Sequence, residues 1–323
     1  MKVKETTNES DILRINRGLH RLLILLASLT LVLLVAGALV TSNEAGDSVP
    51  DWPLSFGRWV INSNYFVANV RFEYSHRVIA FLVGATTLAL AIRALMTGAK
   101  PLFRNLMLAA FAGVMVQALI GGARVSFPAY KPLIAIPHAL VAQSFFALII
   151  GLLVITSKKW YVDRPSKQDS AHPPARRLVI LTVCAVLAQT ALGAGFRHGA
   201  FGVVPHLVGA GVVSLLTTWT TLTILHYHGR DAYLRRPALA VLTLLSCQLI
   251  LGLLAYVARL YSYDDPQPLE PMITLTVAHV VVGALTLAGV VVLTLRCWRT
   301  LSPARENDAP VKVSLENSSR AIV

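Results

Sequence analysis

Acidic side chains are scarce: 16 Asp and Glu stand against 29 Lys and Arg in 323 residues, and charged residues of both signs make up only 14% of the chain. Hydrophobic residues make up 55%, and the mean hydropathy is +0.63. So little charge excludes a highly solvated or intrinsically disordered chain. Cysteine is rarer still. Cys184, Cys247 and Cys297 all fall within or at the ends of apolar stretches, which excludes a disulfide framework, and without a CxxCH motif covalent c-type haem attachment is excluded too. The first eighteen residues carry Glu5, Glu9 and Asp11. Acids there argue against a mitochondrial presequence, and the long first apolar run reads as a retained helix, not a cleaved signal.

What is present is a series of apolar runs long enough to cross a hydrocarbon core. Eight are read, near 19–41, 72–95, 105–123, 134–156, 178–195, 204–225, 237–257 and 272–295. The net charge of +13 follows from their flanks. With the N-terminus inside, most of the 29 basic residues fall on the inner side, so both termini are expected in the cytoplasm. The basic excess is therefore a topology signal, and nucleic acid is not an expected partner. A bacterial cytoplasmic (inner) membrane protein, multi-pass and all-α, is expected.

The expected organisation is two pseudo-symmetric four-helix bundles. A cytoplasmic tail (1–18) precedes an N-terminal half (19–156), a polar, basic, proline-bearing linker (157–177), a C-terminal half (178–295) and a polar, disordered tail (296–323). The halves repeat one another. Pro137-His138 opens the fourth apolar run and Pro205-His206 the sixth. The third, fifth and seventh runs each carry Gln-x-x-x-Gly, as Gln117…Gly121, Gln189…Gly193 and Gln248…Gly252, each followed by an arginine: Arg124, Arg197 and Arg259. Four crossings separate equivalent helices, so the repeat is parallel, with its axis along the membrane normal. Close helix packing is the simplest reading of Gln-x-x-x-Gly. The longest outer loop, near 42–71, holds Val49-Pro50-Asp51-Trp52-Pro53-Leu54 and is expected to be ordered and to cap a site.

Four of the nine histidines, His76, His138, His206 and His279, lie on the second, fourth, sixth and eighth runs, all in the outer half of the bilayer. His20, His226, His228 and His172 read as interfacial or solvated, and His198 is left open. Intramembrane ionisable groups are functional by default. Imidazoles from facing helices suit the two axial positions of haem iron. The pairing that respects the repeat is His76 with His138 and His206 with His279. A zinc or copper site is disfavoured because no thiolate, methionine cluster or second carboxylate shares this depth. Arg77, Arg124, Arg197 and Arg259 stand at outer helix ends, where they either snorkel or bind haem propionates.

The halves differ in one respect. The first has Glu73-x-x-His76, while the matching position in the second is Val203-x-x-His206. An electron carrier needs only ligands and an apolar pocket, whereas a reacting site needs a proton donor or charge stabiliser. Glu73 is therefore the candidate catalytic residue, with an ion pair to Arg71 or Arg77 as the structural alternative. A di-haem quinol or electron-transfer protein and a parallel-repeat transporter remain open at this point.

Glu73-Tyr74-Ser75-His76-Arg77, Pro50-Asp51-Trp52-Pro53-Leu54, Pro137-His138, Pro205-His206 and His279 together resemble the haem A synthase family over about 17–297. The resemblance implies oxidation of the C8 methyl of haem O to a formyl group, giving haem A for cytochrome oxidase assembly. It implies a haem b cofactor on His206 and His279, substrate haem at His76 and His138, and a catalytic role for Glu73. The expected partners are haem O, haem O synthase as its supplier, a quinol or other electron donor and the lipid bilayer, with a homo-oligomer left open. Many bacterial members carry a cysteine pair in the first outer loop; residues 46–55 here contain none.

Overall fold

The computed structural model describes residues 9–162, 164–261 and 269–303, with side chains from residue 17 onward. Among these, eight helices are long and apolar enough to cross a membrane. They are α1 (Glu9–Ser42), α2 (Val70–Met96), α3 (Pro101–Ser126) and α4 (Lys131–Ile155), then α6 (Ala175–Arg197), α7 (Val204–His228), α8 (Ala232–Tyr261) and α9 (Glu270–Thr300). A single-turn helix, α5 (Lys158–Tyr161), and a two-residue parallel strand pair, β1 (Lys167–Gln168) with β2 (Leu301–Ser302), lie at the end where α4 and α9 finish. Backbone amides and carbonyls in hydrocarbon must be satisfied within the segment, which leaves helices as the outcome for such runs. Proline stands in the first turn of α3, α4, α7 and α9, where its missing N–H has no intrahelical partner to lose.

All eight apolar segments are helical, and most helices exceed the runs read from hydropathy. α1 begins at Glu9, inside the segment expected to be a tail. The region 157–177 holds α5, β1 and the start of α6. Buried Asp169 accepts the Ala175 and Arg176 N–H groups at 3.1 and 3.0 Å, serving as a remote cap for α6. The C-terminal tail expected from residue 296 is still helical to Thr300 and continues into β2, and its remainder lies outside the described residues. Pro137 is inside α4, not at its start, so its His138 lies about two turns in. His76 is also about two turns into α2, whereas His206 is in the first turn of α7.

α1, α2, α3 and α4 pack as a closed cycle of neighbours, and so do α6, α7, α8 and α9. The two cycles meet where α4 touches α9 and α6, and where α1 touches α9. One apolar cluster, including Leu23, Leu26, Leu90, Met107, Ile149 and Leu152, fills the first cycle. A second, including Val179, Ile224, Leu234 and Leu293, fills the second. Phe146 packs against the small residues Ala284 and Ala288 where α4 meets α9. Small residues bring membrane helices close enough for dispersion contacts to accumulate, the main attraction left when lipid is as apolar as leucine. Phe81, Leu215 and Leu253 point outward, 74%, 76% and 63% exposed, as lipid-facing residues should.

Candidate functional site

Glu73 is in the first turn of α2, where the helix dipole favours a carboxylate, and only 5% of it is exposed. A carboxylate buried there needs partners, and it has three. Its Oε1 receives Arg77 Nη2 at 2.7 Å, one turn along the same helix face. Its Oε2 receives Ser48 Oγ and the Val49 N–H, each at 3.0 Å. Arg77 is the ion-pair partner anticipated as the structural alternative for Glu73. It also donates to the carbonyls of Asp51 at 2.7 Å, Leu54 at 2.9 Å and Val49 at 3.3 Å.

The Glu73–Arg77 pair thus clamps the outer loop over the start of α2. Within that loop the Asp51 carboxylate accepts the N–H groups of Phe56 at 2.7 Å and Gly57 at 2.6 Å. Burial raises the Asp51 pKa, but these bonds outweigh it and hold the carboxyl below its ordinary value. The Trp52 ring lies flat on Gly122 of α3, where a Cβ would be 2.5 Å from the ring. Lys131 forms an ion pair with Asp47, closing the loop on the α4 side.

Each of the four histidines packs on a glycine of the long helix before it. A Cβ at Gly37 of α1 would lie 3.1 Å from His76 Cε1, and at Gly121 of α3, 3.4 Å from His138 Cε1. At Gly193 of α6 it would lie 3.0 Å from His206 Cε1, and at Gly252 of α8, 2.9 Å from His279 Cε1. Glycine is what lets the rings sit against the neighbouring backbone. The glutamine of each Gln-x-x-x-Gly reaches the same histidine. Gln117 Nε2 donates to the His138 carbonyl at 2.9 Å, and Gln189 Nε2 contacts the His206 carbonyl at 2.9 Å and Nδ1 at 3.0 Å. Gln248 Nε2 lies 3.1 Å from His279 Nε2. The packing reading of the motif is half of its role; the other half is fixing histidines. In α1 the corresponding position is Leu33, so His76 has no such glutamine.

The His206 and His279 rings meet edge to face, with centroids 6.3 Å apart and planes at 80°. One nitrogen of each ring is met by a glutamine, His206 Nδ1 by Gln189 and His279 Nε2 by Gln248. Phe196 stacks on His206 at 6.2 Å and Arg259 lies over Phe196 at 5.1 Å, walling the site with an aromatic ring and a cation. His138 is within electrostatic range of His76, Arg124 and His198. The Nδ1 atoms of His76, His138 and His279 are buried without a hydrogen-bond partner. Buried lone nitrogens are costly unless something ligates or hydrates them. The glycine cradles of all four histidines, and the unpartnered Nδ1 atoms of His76, His138 and His279, fit residues that hold haem iron.

Two further residues tie the pairs together. Arg197, at the end of α6, donates to Ser42 Oγ at 2.6 Å and the Ala38 carbonyl at 3.2 Å, both on α1. Ser42 in turn meets Thr276 of α9 at 3.1 Å. His198, just beyond α6, is held down to about 4 by burial and by the Arg124 and Arg197 cations, so it is neutral at physiological pH. Sequence placed Trp52 only in a capping loop, left His198 open and missed Gly37, Ser42 and Thr276. No local pattern marks them, because each works through a helix distant in sequence. Of the four arginines singled out, Arg77 is committed to the loop and Arg197 to α1. Arg259 lies on an aromatic wall, and Arg124 stands beside both His76 and His138.

Fold and site together define the class: an all-α membrane protein with eight spanning helices among the described residues and four half-buried histidines between helices near one end. Residues 20–204 match the COX15-CtaA family, described as cytochrome oxidase assembly protein. The chain belongs to that family. The matched stretch includes Glu73, His76 and His138 and stops short of His206 and His279. Relatives named Heme A synthase are also similar. The protein of Alkalihalophilus pseudofirmus is 36% identical over 126 residues, 37% of this chain and 40% of its own length. That of Halalkalibacterium halodurans is 31% identical over 138 residues, 41% and 46% of the two chains. That of Staphylococcus haemolyticus is 26% identical over 233 residues, 65% and 75%. The first two alignments span less than half of those relatives.

Proposed function

We propose that this chain is a haem A synthase. It oxidises a methyl group of haem O to a formyl group and supplies haem A for assembly of a terminal cytochrome oxidase. The observation that carries the reading is the unequal pair of halves: Glu73 beside His76, but Val203 where the second half would need its acid. The relatives' shared name supports the same activity. In this reading residues 19–156 form the substrate half and residues 178–295 the cofactor half.

His76 and His138 hold the substrate haem, and the loop pinned by Trp52 and the Glu73–Arg77 clamp excludes water from its outer side. Two hydroxylations of the methyl, each consuming dioxygen with two electrons and two protons from the donor and releasing one water, would give a geminal diol, which loses water to leave the formyl group. Glu73, the acid nearest the His76 ligand in sequence and on the same helix face, accepts or stabilises the positive charge and protons released as the methyl carbon is oxidised. Arg124 and Arg259 are the cationic partners for propionates; Arg77 and Arg197 take that role only by exchanging their acceptors on the loop and on α1. His206 and His279 hold haem b, which supplies one-electron chemistry from a quinol or other donor. The protein resides in a bacterial cytoplasmic membrane with both termini inside, and haem O synthase hands it the substrate.

The test is expression in a bacterium that makes haem O but no haem A. Appearance of haem A in acid–acetone extracts of the membranes is the expected result. A membrane-inserted protein carrying only haem b, with haem O unchanged, would make the chain a di-haem electron carrier instead.

A further inference from the structure

At the end of the bundle opposite the histidines, a cavity of about 210 Å³ opens between α4, α5, α8 and α9. Leu153 and Val154 line one side and Ser157, Lys159, Tyr233 and Arg296 the other. The Arg296 guanidinium lies 4.6 Å over the Tyr233 ring and donates to the Tyr233 carbonyl at 3.0 Å. A second guanidinium, that of Arg164, lies 3.9 Å over the same ring. Among the described residues, none of Arg164, Arg296 and Lys159 forms an ion pair. The carboxylate near Arg164, Asp231, is engaged by Lys167 at 2.9 Å and by the Tyr233 N–H at 2.9 Å.

Two guanidiniums share the Tyr233 ring and Lys159 lines the same cavity as Arg296; with Asp231 already taken, these cations repel one another. Among the described residues the arrangement lacks an anion. The volume equals about seven water molecules, enough for a phosphate group. The apolar wall of Leu153 and Val154 belongs to a membrane helix, so the anion's surroundings include hydrocarbon as well as cations. Aromatic residues mark the same helix ends as the membrane interface: Trp160 lies under Arg299 at 5.9 Å, and half-exposed Trp298 under Arg176 at 3.9 Å. A soluble anion would use the cations and leave the apolar wall unused. A diacyl phosphodiester uses both.

We propose that this cavity binds the phosphate headgroup of an anionic phospholipid, with Lys159 and Arg296 at the phosphate, Arg164 adding charge from the Tyr233 ring, and an acyl chain along α4. The lipid would bridge α4 of the first helix cycle and α8–α9 of the second. The site is remote from the histidines and does not depend on the haem chemistry.

The test uses the full-length purified protein, titrated with phosphatidylglycerol or phosphatidylcholine of identical chains. Bound lipid is counted by native mass spectrometry and thermal stability is followed in parallel. Selective retention of phosphatidylglycerol is expected. Lys159→Gln should weaken it roughly fivefold, about 1 kcal/mol for one cation at the headgroup. Lys159 is exposed and makes no hydrogen bond among the described residues, so this variant folds normally. Arg296→Gln should weaken retention at least as much, and Arg236→Gln, exposed on α8 outside the cavity, should leave it unchanged. Equal retention of the two lipids, or wild-type retention by Lys159→Gln, would overturn the site. Inorganic phosphate giving the same thermal shift as phosphatidylglycerol would put a free anion there and overturn the lipid assignment.

Discussion

Replacing Glu73 with glutamine is expected to lower haem A formation by 100-fold or more, the scale of a lost acid–base or charge-stabilising group, about 10²–10⁴. The amide is nearly isosteric. Its oxygen still accepts from Ser48 and Val49, and Arg77 keeps its bonds to the carbonyls of Val49, Asp51 and Leu54. What disappears is the negative charge beside the substrate half's histidine, together with the Arg77 bond to Oε1, where the amide NH2 now faces another donor. The competing explanation is that Glu73 merely anchors the loop. Ser48→Ala separates the two, because it removes one anchoring bond, worth about 1 kcal/mol, and leaves the carboxylate in place. Near-normal haem A from Ser48→Ala with severe loss from Glu73→Gln, read as the ratio of haem O to haem A in extracts, is the expected pattern. Equal losses in both would reduce Glu73 to a structural residue.

The second large effect belongs to the other half. His206→Ala or His279→Ala should remove one haem per protein and spare the haem at His76 and His138, measured by pyridine haemochrome against protein content. Gly252→Val probes the same site without deleting a ligand. A Cβ there already lies 2.9 Å from His279 Cε1, and two added methyls have nowhere to go except by displacing the ring. Overpacking of this kind costs about 1–3 kcal/mol, so haem in this half should fall or change its low-spin spectrum. Gly211→Val, on α7 with open space around its Cα, should leave haem content unchanged. Full haem content and an unchanged spectrum in both His206→Ala and Gly252→Val would remove the cofactor from this pair.

The helices were legible because a hydrocarbon solvent makes length and hydropathy nearly sufficient. Their ends were not. Residues 9–18 carry charges that end a hydropathy window but not a helix that continues into the interface. Pro137 reads as a helix start by soluble-protein rules, yet α4 runs through it from Lys131, because neighbouring helices tolerate a proline kink in a membrane bundle.

The candidate site was partly legible for the same reason it was repetitive. Gln-x-x-x-Gly recurs three times and each copy meets a histidine, so the repeat pointed to the right helices. The fourth cradle, Gly37 against His76, carries Leu33 in place of glutamine and leaves no motif to find. Trp52 on Gly122 and Arg197 on Ser42 join segments 70 and 155 residues apart, and nothing local encodes such contacts. The loop also shows how a chain without the outer cysteine pair keeps its cap in place: an ion pair, a capped turn and an aromatic plug hold it.

The central claim is that one half binds a haem as substrate while the other keeps a haem as cofactor. Extraction and chromatographic identification of the haems that copurify with the full-length protein tests it most directly. Haem b together with haem O, its hydroxylated derivative or haem A is the expected result, with the second component lost in His76→Ala and haem b lost in His279→Ala. Haem b alone in both halves would contradict the claim, and a preparation without haem would remove the histidine ligands with it.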